Sequence, residues 1–194
     1  MVEGRRAAVL LAVVAALAAA VYLVPDLLFG DDSGGERAPA HGCRHARDRP
    51  SRDLRAAELA TLCLLNAERR ARGRRPLRRD PRLRVAALRQ SRDMVSRHFL
   101  EHVNPDGVGH HERILAAGYR PAALGGSTGE NLATGRSDAG TPAVVVDGWM
   151  HSPGHRRNVL RREFVEIGIG IVPRDTSGGD GATYATELAA PPRR

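Results

Sequence analysis

The order of periodicities along the chain predicts an α+β domain: amphipathic helical segments occupy its middle, and an alternating hairpin closes it. An uncharged apolar run and a Gly/Pro-rich stretch stand in front of these elements. This divides the chain into an N-terminal segment (1–29), a linker (30–51) and a folded domain (52–190).

Arg5 and Arg6 precede the apolar run Ala7–Val24, and Asp26, Asp31 and Asp32 follow it. As a helix the run extends about 27 Å, close to the hydrocarbon thickness of a bilayer. The positive flank comes first, so the segment predicts a membrane anchor with the C-terminal part outside. A cleaved signal peptide is the alternative, because Ala18–Ala20 offers a small-residue cleavage site. Either way the domain is expected outside the cytoplasm. The linker carries Gly34–Gly35, Pro39 and Pro50 without apolar periodicity. Two cysteines in an oxidising compartment predict a Cys43–Cys63 bridge, with two free thiols as the alternative. Closing a loop of that length contributes roughly 3 kcal/mol.

The chain has 30 basic residues, all arginine, and a net charge of +8. Arginine and alanine richness of this kind fits a GC-rich genome. The arginines are scattered, with few aromatics between them and no nucleic-acid module, so no nucleic-acid partner is expected.

Within the domain, Leu54–Arg72 predicts a helix with Leu59, Leu62, Cys63 and Leu65 on its apolar side and Gly73 after its end. Asp80–Pro81 caps and opens a second helix to about Phe99, carrying Leu83, Ala87, Met94 and Val95. Asn104–Gly107 is a turn. A short helix runs from His110 to Ala117, its start capped by His110 and His111 as a solvated pair. Thr141–Pro142 opens a fourth helix through Trp149, which Ser152–Pro153–Gly154 terminates. A short strand is expected near Glu130–Ala133. Val165, Ile167, Ile169 and Ile171 alternate with Glu166, Gly168 and Gly170, predicting a half-buried strand with one bare face. Tyr184, Thr186 and Leu188 supply its hairpin partner.

Four stretches carry a joint signal. They are Leu65–Arg69 (LNAER) with Gly73 and Pro76–Leu77; Ser91–Met94 (SRDM) with His102 and Asn104–Gly107 (NPDG); Gly129–Ala133 (GENLA); and Trp149–Arg156 (WMHSPGHR) with Asn158, Phe164 and Ile167–Gly168. In order and spacing these resemble the bacterial type of the CAP domain, the family of cysteine-rich secretory and pathogenesis-related proteins. The resemblance implies a three-layer α-β-α sandwich with a small, mainly antiparallel sheet, an extracytoplasmic location and a central cleft. In that family the cleft holds two histidines and two acids. Carried over, the histidines fall on His102 and His155 and one acid on Glu130. The second acid would fall on Ser152, a departure that puts in doubt any mechanism needing paired carboxylates.

Two neutral imidazoles, His102 and His155, could hold a divalent metal such as zinc with water, or Glu130 could accept a hydrogen bond from one ring and fix its tautomer. The resemblance implies a surface-tethered binding protein for a lipid or cell-envelope ligand, expected as a monomer. The alternative is a metal-dependent hydrolase using His102, Glu130 and His155. His98–His102 also spells H-x-x-E-H, but the predicted helix ends there, so a zinc-protease helix is not expected. Ser91, Ser127 and Ser152 lack a nucleophile-elbow context. Trp149 and Tyr119 are expected in the core.

Overall fold

The computed structural model describes residues 42–50, 53–121, 127–174 and 181–190. The apolar run Ala7–Val24 and most of the linker lie outside these residues. Among the described residues, no helix is long and apolar enough to cross a membrane. Among the described residues, five α-helices and four strands follow in the order α1 (Leu54–Ala71), β1 (Arg78–Arg79), α2 (Pro81–Arg97), α3 (His110–Ala116), β2 (Thr128–Arg136), α4 (Pro142–His151), α5 (Pro153–Leu160), β3 (Glu166–Pro173) and β4 (Gly181–Ala189), with a short 3-10 turn at Ser137–Gly140 before α4.

Local chemistry sets the helix ends. The Asp53 side chain accepts from the Ala56 amide at 2.9 Å. Asp80 accepts from the Arg82 and Leu83 amides at 2.8 and 3.3 Å, with Pro81 in the first turn. Gly73, at φ +64°, takes the left-handed position after α1, and the Arg74 amide returns to the Arg69 carbonyl. His98, also left-handed at φ 58°, ends α2. It therefore lies off the helix, and His98 and His102 share no helical face.

The sheet order is β1-β3-β4-β2. β3 and β4 form the expected antiparallel hairpin and β4 pairs antiparallel with β2, while the two-residue β1 runs parallel to β3. The sheet is therefore mixed. One face carries Ile167, Ile169, Ile171, Tyr184 and Leu188, packed with Leu64 and Leu65 of α1 and Val145, Val146 and Trp149 of α4. The other carries Leu132 and Ala185 beneath Ala87 and Met94 of α2. Leu83, Ala86, Ile114, Tyr119 and Ala189 complete that side. Helix, sheet and helix make the three layers.

Three expectations change. Leu59 is exposed and Leu62 and Cys63 are half-buried, while α1 buries Ala57, Ala60, Thr61, Leu64, Leu65 and Glu68, so its core-facing stripe is centred on Leu64 and Leu65. Ser152–Pro153–Gly154 ends α4 but also opens α5, since proline suits a first helical turn. The strand expected to be half-buried is buried on both faces, because α2 packs on the face that Gly168 and Gly170 leave without side chains. A Cβ on Gly168 would lie 2.0 Å from the Leu83 carbonyl carbon, and one on Gly170 would lie 2.4 Å from the Leu88 amide nitrogen. These glycines let the α2 backbone rest on β3. Gly168→Ala is expected to cost about 3 kcal/mol, measurable as a lower urea midpoint. A loss under about 0.5 kcal/mol would refute this close approach.

Cys43 and Cys63 are bonded, with their Cα atoms 5.7 Å apart. The bond fastens the end of the linker to α1. Ala46 is buried there, and its carbonyl accepts from the Ala143 amide at 2.8 Å.

Candidate functional site

β2 is an edge strand, and the motif residues are used to close that edge. Asn158 Nδ2 donates to the Glu130 carbonyl at 3.1 Å, and Trp149 Nε1 donates to the Leu132 carbonyl at 3.0 Å. Side chains from α5 and α4 thus satisfy backbone acceptors that would otherwise template another strand. Asn131 bridges the same parts: its Oδ1 accepts from Asn158 at 3.0 Å and its Nδ2 donates to the His155 carbonyl at 3.3 Å. Gly129 must lack a side chain, because a Cβ would lie 2.9 Å from the Phe164 ring and 3.2 Å from the Asn158 amide. Every residue of the Gly129–Leu132 stretch therefore has a mechanical task at this edge.

Glu130 points to the α2 and α3 side and is buried. Its two carboxylate oxygens have different partners. Oε1 accepts from Nδ1 of His102 at 2.7 Å, and Oε2 accepts from Nη2 of Arg113 at 2.7 Å. Arg113, from α3, is itself buried. It also donates to the Val108 carbonyl at 2.7 Å and the His102 carbonyl at 3.0 Å, holding both ends of the loop that carries His102. Within that loop Asn104 Oδ1 accepts from the Asp106 and Val108 amides at 3.1 and 2.9 Å, and its Nδ2 donates to Asp93 at 3.0 Å. The Asn-Pro-Asp-Gly turn is thereby locked onto α2.

The His102 side chain keeps 54% of its exposure, and Nε2 is not used by Glu130. The hydrogen bond to Glu130 raises its pKa above the ordinary imidazole value. His155, at the start of α5, is pushed the other way, first by burial and then by the charge of His102. The structure thus brings His102 and Glu130 into contact and ties the His155 backbone to Asn131, the neighbour of Glu130 on β2. His155 makes no side-chain hydrogen bond to Glu130. Ser152 caps α5 without a side-chain bond and supplies no acid.

Three residues of this site escape sequence reading. Arg113 is one. The second is Glu187 on β4, fully buried and directly across from Glu130 in the strand register. The third is His110, whose pKa burial lowers and which senses Glu130, Arg113 and His102. His110 and His111 are half-buried, not solvated, and Gly109 rather than either of them caps α3. His111 Nδ1 lies 3.4 Å from the Thr128 hydroxyl.

The donor set does not suit a resident catalytic zinc. Such a site needs three protein ligands, and among the described residues no group of three or more His, Cys, Asp or Glu side chains is placed to hold a metal. Both oxygens of Glu130 are already engaged.

The layers define an α-β-α sandwich whose edge strand carries a histidine–glutamate pair. The family model described as the cysteine-rich secretory protein family, CAP, matches residues 62–186, and the chain belongs to that family. It is 36% identical over 119 residues to YkwD, an uncharacterized protein of Bacillus subtilis (strain 168); the match spans 60% of this chain and 43% of that relative. Among solved structures, it is similar to an extracellular SCP-domain protein of Bacillus anthracis, with TM-score 0.59 and 21% identity over 70% of this chain and 40% of the other. It is also similar to an outer surface protein of Borrelia burgdorferi, with TM-score 0.58 and 17% identity over 73% of this chain and 95% of the other. At these identities the structures establish the fold.

Proposed function

We propose that the chain is an extracytoplasmic, surface-tethered binding protein for a lipid or other cell-envelope amphiphile, taken up at the His102–Glu130–His155 cleft. The observation that carries this reading is the make-up of the His102 loop. A half-exposed imidazole rests on a buried carboxylate, and Leu100 and Val103 stand beside it in the chain, 47% and 54% exposed. A polar group fixed in orientation next to exposed apolar side chains suits a ligand with a head and a tail. The Cys43–Cys63 bond supports an oxidising location, as do the extracellular Bacillus anthracis protein and the outer surface protein of Borrelia burgdorferi. The apolar run Ala7–Val24 supports a tether.

The test is binding of the detergent-purified full chain to lipid-extract vesicles and to wall fragments. Saturable binding to one fraction is expected, weakened at least about tenfold, or 1.4 kcal/mol, by His102→Ala and by His155→Ala. Absence of saturable binding to any fraction, or binding indifferent to both substitutions, would count against the reading.

The His102–Glu130 contact also favours a second reading. A carboxylate on Nδ1 is the arrangement that orients Nε2 toward a metal, and His155 would be the other imidazole. Two imidazoles alone make a weak site, so no hydrolytic step is assigned to it. Elemental analysis after purification without chelators, then activity of His155→Ala on peptide and muropeptide pools, tests the hydrolase alternative. Activity unchanged by that substitution would remove it.

A further inference from the structure

Glu187 is a fully buried acid on β4. It pairs in register with Glu130 on β2 and with Gly168 on β3, so its side chain shares the sheet face that α2 and α3 cover. From α2 that face receives the uncharged Leu83, Ala86, Ala87 and Gln90. From α3 comes Arg113, whose Nε stands 3.9 Å from Glu187 Oε1, beyond hydrogen-bond reach. Arg113 spends its terminal nitrogens on Glu130, Val108 and His102, and its Nε makes no hydrogen bond. Neither oxygen of Glu187 meets a donor.

An ionised carboxylate has acceptors only, so in this pocket Glu187 would be a buried anion without a donor, beside a second anion. A protonated Glu187 brings its own donor, and Glu130, directly across from it in the strand register, is the neighbouring acceptor. Burial first, and the charge of Glu130 second, push the Glu187 carboxyl well above the ordinary range.

We infer that Glu187 is the second acid of the cleft, a neutral carboxylic acid that donates a hydrogen bond to Glu130 and so positions the carboxylate on which His102 rests. The CAP pattern places its second acid where this chain has Ser152, and here a carboxyl reaches the site from β4 instead. One proton for two carboxyls leaves a single negative charge, which Arg113 balances. Glu187 is a positioning residue: it reaches His102 only through Glu130. Its use depends on the cleft being the working site, but its test requires no ligand, so failure to find a ligand and failure of this assignment are separate results.

The test uses the full chain with carboxyl-labelled glutamate and ring-labelled histidine, followed by NMR across pH. The Glu187 carboxyl carbon is expected to keep its protonated shift through neutral pH while exposed glutamates titrate. Glu187→Gln, which keeps a neutral donor, should leave the His102 titration where it is, and Glu187→Leu, which has none, should displace it. A Glu187 carbon titrating with the exposed glutamates would overturn the assignment, as would a lowered His102 pKa in Glu187→Gln, the signature of a lost negative charge. An unmoved His102 in Glu187→Leu would reduce Glu187 to a packing role. If Glu187→Leu does not fold, the first two measurements still decide.

Discussion

Arg69→Ala is expected to destabilise the domain by about 4 kcal/mol, the largest effect of any single polar truncation in the structure. Arg69 is fully buried in α1 and faces no carboxylate. Its guanidinium is held by backbone carbonyls alone: Arg75 at 2.7 Å, Val159 at 2.5 Å, Arg161 at 3.1 Å and Phe164 at 2.7 Å. Those acceptors belong to the turn after α1, the end of α5 and the approach to β3, so one side chain ties three separate segments. Alanine would strand four carbonyls in a space that water cannot easily fill. Lysine should rescue little, because a single ammonium cannot span a planar fork of acceptors. Thermal and urea unfolding of the full chain would measure this, with a drop in Tm of about 12 °C expected for a domain of this size. A loss below about 1 kcal/mol would show that the carbonyls find other donors and that Arg69 is not a hub.

The second large effect is expected at Glu130. Glu130→Ala should cost about 3 kcal/mol, because it leaves Arg113 a buried cation without its carboxylate. Glu187, 3.9 Å from Arg113, is then the nearest remaining acid and limits the damage by ionising. The same substitution should drop the His102 pKa toward the ordinary imidazole value, since the bond to Glu130 is the largest cause of its elevation. A folded-state pKa raised above the unfolded one means the folded domain holds the proton more tightly. The stability from the His102–Glu130 pair is therefore fully present below the unfolded imidazole pKa and is lost as pH rises through the folded one. The stability gap between wild type and Glu130→Ala should be wider at mildly acidic pH than at alkaline pH. Histidine-ring NMR titration with denaturant unfolding at both pH values checks the two parts. A His102 titration identical in wild type and Glu130→Ala would mean that the 2.7 Å contact does not exist in solution.

The histidine–glutamate pair was legible in the sequence through the family resemblance, which carried His102 and Glu130 over by motif match. Gly129-Glu-Asn131 lies in β2 and Ser152-Pro-Gly-His155 opens α5, so the stretches that carry the resemblance also serve the backbone. The rest of the site was hidden for different reasons. Arg113 is one of 30 basic residues, all of the same type, and nothing local separates it from a solvated one. Glu187 alternates with Thr186 and Leu188 in a hairpin strand, a spacing that ordinarily places a charge in water. Only the docking of α2 and α3 turns that face inward.

The sequence alone determined four of the helical segments, the helix start at Asp80 and the β3–β4 hairpin, while His102, Glu130 and His155 were named by the family resemblance. The elements depend on side-chain type at short spacing, through capping, period and turn geometry. Tertiary structure decided the parallel β1 edge, the burial of the glycine face, the four-carbonyl seat of Arg69 and the joining of Glu130 to Arg113 and Glu187. Those features depend on which surfaces meet across distant parts of the chain. Close packing decides such meetings in three dimensions, where linear spacing carries no record of them.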